Sequence, residues 1–154
     1  MKLAFYKADC SGATKLDKFI AWGTQGEYSH VEGVFGDGMW FSLSPREAGP
    51  RFKKIEPKDD HWDFVEIPLS LGAEARIRKQ CEEMGSMEYA WIQAFFSATP
   101  FCIGFKDRMF CSKLWAELLK SEGILLDKPC SYSPNYLHEE LDMYIRNYGN
   151  FKLN

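Results

Sequence analysis

Apolar and polar positions alternate in short runs through the first half of the chain and recur at helical spacing after Pro68, so the pattern predicts a β-rich half followed by a helical half. Leu3 to Ala8 is an apolar, aromatic-rich run ended by Asp9-Cys10-Ser11-Gly12, which reads as a strand closed by a turn. A helix is expected from Thr14 to Trp22, its apolar stripe supplied by Leu16, Phe19, Ile20 and Trp22, with Gly23 placed as a C-cap. Two strands, His30 to Phe35 and Met39 to Leu43, flank Gly36-Asp37-Gly38, a hairpin signal because glycine and aspartate tolerate positive φ. Further strands are expected at Arg51 to Ile55 and Trp62 to Ile67, separated by a turn at Pro57, Lys58, Asp59 and Asp60.

Helix-forming residues dominate Ala73 to Met84, and Tyr89 to Phe96 is apolar with few breakers; Pro100 and Gly104 interrupt the helical pattern beyond Phe96. A third helix is expected from Cys111 to about Ser121, with Leu114, Trp115, Leu118 and Leu119 on its buried face and Gly123 closing it. Ser133-Pro134 is a cap followed by proline at the first helical position, the start of a short helix. The fold class is therefore α+β, an antiparallel sheet packed against helices in a single domain spanning 1–154, without internal repeats.

A chain of 154 residues with 45% apolar and 16% aromatic residues can bury a sizeable core. The net charge of −3 leaves no footprint for a polyanion, although Arg51, Lys53 and Lys54 are locally basic, so nucleic acid is not an expected partner. No run approaches the ~20 apolar residues of a membrane span, and charge interrupts Met1 to Lys7 too early for a signal peptide. A cytoplasmic protein is the expectation. Five cysteines are an odd number, which disfavours a disulfide scaffold, and there is no C-x-x-C pair. His30, His61 and His138 are far apart in sequence, so no metal and no cofactor is expected. His61 and His138, beside charged or turn-forming residues, read as surface positions.

Cys111 is the residue on which chemistry converges. An ordinary thiol is mostly protonated at neutral pH, but one in the first turn of a helix lies among unpaired N–H groups and the positive end of the dipole, which favour a thiolate. The same N–H groups, including that of Ser112, suit an oxyanion hole. His30 begins a strand, and two-residue periodicity puts Glu32 on its face, where a carboxylate can fix the imidazole. The hairpin brings Ser42 and Ser44 back toward the same region as alternative third members, ranked after Glu32. Tyr89 is either a positioning group or core, and Trp91, Phe95, Phe96 and Phe101 are core or the wall of a cleft. Cys10 is a competing nucleophile because it too precedes a helix, yet only one helix and a turn fit between it and His30. Taken singly, Cys111 reads as a buried structural thiol, His30 as a satisfied histidine and Glu32 as a solvent-facing charge. Their joint order changes that reading.

Ser29-His30-Val31-Glu32, Gly36-Asp37-Gly38, Gly85-Ser86-Met87-Glu88-Tyr89 and Phe110-Cys111-Ser112-Lys113-Leu114-Trp115 together resemble the circularly permuted NlpC-type branch of papain-like cysteine hydrolases, which includes the lecithin retinol acyltransferase relatives. The resemblance covers about half the chain. It implies a barrel-like antiparallel sheet, a histidine strand preceding the cysteine helix, and Cys111 and His30 as nucleophile and base. Many relatives have a histidine or acidic residue on the strand after the hairpin, where this chain has Ser42 and Ser44, and Tyr-Asp where it has Tyr89-Ala90. The implied activity is cleavage of amide bonds in a peptide substrate, cell-wall linkages among them, through a thioester. Hydrolysis or transfer of a lipid or thioester acyl group is the alternative within the fold, and an inactive binding or virion-structural module of a phage or bacterium is the alternative outside catalysis.

Overall fold

Five strands, β1 (Lys2–Lys7), β2 (Tyr28–Val34), β3 (Met39–Ser44), β4 (Gly49–Lys54) and β5 (Trp62–Glu66), form one antiparallel sheet in the order β4-β3-β2-β1-β5. The computed structural model describes residues 1–44, 49–85, 110–124 and 133–148. Four helices accompany the sheet among these: α1 (Lys15–Gly23), α2 (Leu71–Gly85), α3 (Phe110–Ser121) and α4 (Pro134–Tyr148). None is long and apolar enough to cross a membrane.

Register divides the sheet into two faces. Phe5 stands opposite Val31, Leu3 opposite Gly33, and Gly33 opposite Phe41, so these residues share the face against which the helices pack. Leu3, Phe5, Val31, Phe41 and Leu43 close the core with Ile77 of α2, Leu114 and Trp115 of α3, and Leu137 and Leu141 of α4. Trp115 is fully buried, and a Cβ at Gly33 would lie 2.0 Å from its ring, so α3 sits as close to β2 as it does because Gly33 has no side chain. Truncating Trp115 to Ala would remove about 3–5 kcal/mol.

The opposite face carries Tyr6, His30, Glu32, Trp40, Ser42, Arg51, Trp62 and Phe64. Trp40 is buried there, its ring 5.1 Å from that of Trp62 and 5.9 Å from that of Phe64, although β3 and β5 are separated by two strands. The sheet therefore curls around the Trp40 indole. It does not close: among the described residues β4 and β5 are edges, and the expected barrel is a curled open sheet because no ladder joins these two strands.

The β2–β3 hairpin forms as the Gly-Asp-Gly signal predicts, with Gly38 at φ 80°, Phe35 N–H bonded to Met39 O and the Asp37 carboxylate accepting Met39 N–H. Helix α1 departs from its predicted stripe, since Trp22 is 75% and Phe19 44% exposed while Asp17 and Ala21 are buried. Asp17 turns inward because its carboxylate accepts from the Thr14 backbone and hydroxyl in a capping box and from the Ser29 hydroxyl. Gly23 is the last helical residue rather than the cap; the chain turns at Thr24 and reaches positive φ at Gln25. Helix α4 is not short but 15 residues long, because Leu137 and Leu141 extend its buried stripe beyond the cap at Ser133 and Pro134. The predicted helix at Tyr89 to Phe96 lies outside the described residues, as do Trp91, Phe95, Phe96 and Phe101.

Candidate active site

The β2–β3 ladder is short. It pairs Gly33 with Phe41 and Val34 with Trp40 and then stops, while β3 continues along β4 to Ser44 and β2 continues along β1. Backbone amides of an antiparallel strand face its two neighbours alternately. Phe35 N–H points to β3, so the amides of Gly33 and Val31 do as well, and that of Val31 lies past the end of the ladder. The Cys111 sulfur accepts it there, together with the N–H of Ser112. The sulfur occupies the position a β3 carbonyl would otherwise fill.

This slot between strands also explains how Cys111 meets His30. Helix α3 packs on the core face, and the imidazole projects from the other, yet the thiol at the first turn of α3 reaches the ring through the gap and hydrogen-bonds to it. Nε2 of His30 lies 3.1 Å from Ser42 Oγ and 3.3 Å from Glu32 Oε1. The Ser42 hydroxyl bonds to the Glu32 carboxylate, so it accepts from the ring and donates to the acid. Arg51 Nη2 lies 3.0 Å from the same Oε1.

Charges in this cluster support one another. Burial pushes the Cys111 thiol up, but the charge of His30, its hydrogen bond and the two amides outweigh that and hold the thiol below its ordinary range. Burial pushes His30 down, and the Cys111 thiolate and Glu32 reverse the direction, raising it to about 10. Burial likewise pushes the Glu32 carboxyl up, and His30, Arg51 and Ser42 bring it below the usual carboxylate range. Both shifts run in the direction of a thiolate beside an imidazolium. The Glu32 side chain is only 4% exposed and that of His30 20%, so these interactions act where water screens them weakly.

The strand that carries His30 is held at its start from two sides. Asn135, on the first turn of α4, accepts Tyr28 N–H at 2.8 Å and donates to Tyr28 O and Thr24 Oγ1, while the Ser29 hydroxyl is bonded to Asp17. Neither Asn135 nor Asp17 stands out in sequence, since each matters through a contact with a distant strand.

Of the residues the sequence nominates, Cys111, His30, Glu32, Ser42 and Ser112 come together. Glu32 is buried rather than solvent-facing, because the curl of the sheet encloses its face. The backbone of Ser44 pairs with Gly49, but its side chain lies outside the described residues, as does Tyr89. Cys10 is partly exposed in the turn after β1. The surface reading of the other histidines fails: the His61 side chain is 13% exposed beneath Tyr6 and bonded to Ser11, and His138 packs edge-on against Phe5 at 4.9 Å and beside Tyr28 at 4.8 Å. Turn composition hid the first, and the second lies on α4 next to core Leu137. Sequence reasoning also missed Arg51, which it read only as local basicity. Among the described residues no group of three or more His, Cys, Asp or Glu side chains is arranged to hold a metal ion. No family model, curated protein or solved structure matches the chain.

Proposed function

We propose that the chain is a cysteine hydrolase of the permuted papain-like kind, cleaving amide bonds through a thioester. The observation that carries the reading is the Cys111 sulfur, hydrogen-bonded to His30 and to the amides of Val31 and Ser112, with His30 Nε2 engaged by Glu32 and Ser42. A structural thiol requires none of these; buried Cys81, whose thiol burial raises to about 12, has no such partners among the described residues and marks the contrast.

In the reaction the Cys111 thiolate attacks the carbonyl carbon, forming a C–S bond and an oxyanion that first-turn amides of α3 stabilise. The His30 imidazolium gives its proton to the leaving nitrogen, the C–N bond breaks and the amine departs. Water then loses a proton to neutral His30 as it adds to the thioester, the C–S bond breaks, and a carboxylic acid and the resting pair are restored. Glu32 and Ser42 keep the ring in place and stabilise its positive charge.

A screen of peptide and acyl p-nitroanilides with wild type and Cys111→Ala tests the activity. Turnover that Cys111→Ala abolishes supports the reading. A thioester adduct on Cys111 with oxyesters but no amide turnover would transfer the function to acyl transfer. Absence of both, with an ordinary Cys111 thiol, would leave a binding module.

A further inference from the structure

Ladder hydrogen bonds hold β2 and β3 together only as far as Gly33 and Phe41, yet the slot beyond must keep one width for the thiol to meet His30. Two side-chain bridges cross it. Ser42 on β3 reaches His30 on β2, and Arg51 on β4 reaches past β3 to Glu32 on β2. Arg51 stands opposite Ser42 in the β3–β4 ladder, whose six continuous pairs make β4 a firm base for the guanidinium.

We infer that Arg51 is a positioning residue: its guanidinium bridges the open end of the β2–β3 ladder and fixes Glu32 Oε1 against His30 Nε2, so that the ring keeps its contact with Cys111. Oε1 is shared by the two cations at 3.0 and 3.3 Å, and the arginine side chain is three-quarters buried. A planar, always charged guanidinium suits this better than a lysine on the same strand. Among the described residues the titratable groups meeting here are Glu32 and His30 of β2, Cys111 of α3 and Arg51 of β4. Removing the guanidinium lets Glu32 take up a proton at higher pH. A protonated Glu32 no longer supports the imidazolium, and an uncharged ring no longer favours the thiolate.

The role rests on the thiolate–imidazolium reading, and the test separates the two. Iodoacetamide labelling of Cys111 is followed against pH by mass spectrometry in wild type, R51Q, R51M, R51K, E32Q and E32Q/R51Q. An ordinary thiol profile in wild type would end the catalytic reading itself, whatever the arginine does. With a depressed wild-type profile, R51Q or R51M, whichever keeps the wild-type circular dichroism spectrum, should move the acid limb upward by about one pH unit, a tenfold change in the equilibrium. R51K should recover at least half of that, and R51Q should add nothing in the E32Q background. An unmoved limb in a folded single variant overturns the inference, as does an R51Q effect that persists without Glu32. If neither neutral variant folds, an uncompensated Glu32 is the expected reason and E32Q/R51Q should fold; its failure to do so overturns the assignment.

Discussion

Two clusters in this chain each bring together a cysteine, a serine, a histidine and a carboxylate. Cys111, Ser42, His30 and Glu32 meet at the slot between β2 and β3, whereas Cys10, Ser11, His61 and Asp60 gather around the turn after β1, an aspartate standing there for the glutamate. In the second cluster Ser11 Oγ lies 3.1 Å from His61 Nε2 and 3.3 Å from Asp60 Oδ2, and the other Asp60 oxygen is 3.7 Å from that same ring nitrogen. Serine and carboxylate thus meet one ring nitrogen here as Ser42 and Glu32 do at His30, but Asp60 is 62% exposed. In the first cluster a thiol engages the ring as well, its sulfur also taking the amides of Val31 and Ser112, and the carboxylate is buried. The lesson is that residue types do not make a site; the enclosure and the contacts that ring and backbone amides make with the sulfur do.

Substitutions can break this comparison. The largest effect is expected from Gly33→Ala, whose Cβ would meet the Trp115 ring at 2.0 Å in a core without slack; we expect a loss of about 3 kcal/mol in urea unfolding. Gly12→Ala beside the second cluster meets His61 Cε1 at 2.8 Å, the end of a partly buried side chain whose partners Ser11 and Asp60 are exposed and can shift with it, and should cost about 1 kcal/mol or less. A Gly12 variant as damaged as the Gly33 one would show that the two clusters are equally built.

Next in size is the pH dependence of turnover. The Cys111 thiolate persists below the ordinary thiol range, and His30 keeps its proton up to about 10, so amide cleavage should be bell-shaped with its basic limb near pH 10. Labelling of Cys111 should instead rise once and stay high, since the thiolate survives when the imidazolium is lost. A basic limb near the ordinary histidine value of about 6.5 would contradict the pair. Glu32→Gln should move the acid limb of labelling upward by less than His30→Ala does, because Ser42 still holds Nε2. Smallest of all, His61→Ala should leave both labelling and turnover within about twofold of wild type, and any larger loss would bring the second cluster into the chemistry.

Much of this was legible in the sequence where the signal is local. Gly36-Asp37-Gly38 dictates its hairpin, and alternation along β2 puts His30 and Glu32 on one face. Cys111 lies at a helix start because Leu114, Trp115, Leu118 and Leu119 impose a helical stripe. The features that sequence hid depend on distant contacts. Asp17 overrides the apolar stripe of α1 through Ser29, and Arg51 acquires its partner only because β4 lies one strand beyond β3. The early end of the β2–β3 ladder, from which the slot arises, leaves no mark in either strand's composition.

The most direct test of the thiolate–imidazolium pair is the alkylation rate of Cys111 with iodoacetamide across pH, in wild type and His30→Ala, with the label located by mass spectrometry. Wild type should label Cys111 well below the ordinary thiol pKa of about 8.5, and His30→Ala should return the profile to that range and label about tenfold more slowly below pH 7, since the gain in intrinsic nucleophilicity offsets part of the lost thiolate. A Cys111 that titrates as an ordinary thiol in wild type, or a profile that His30→Ala leaves unchanged, would contradict it.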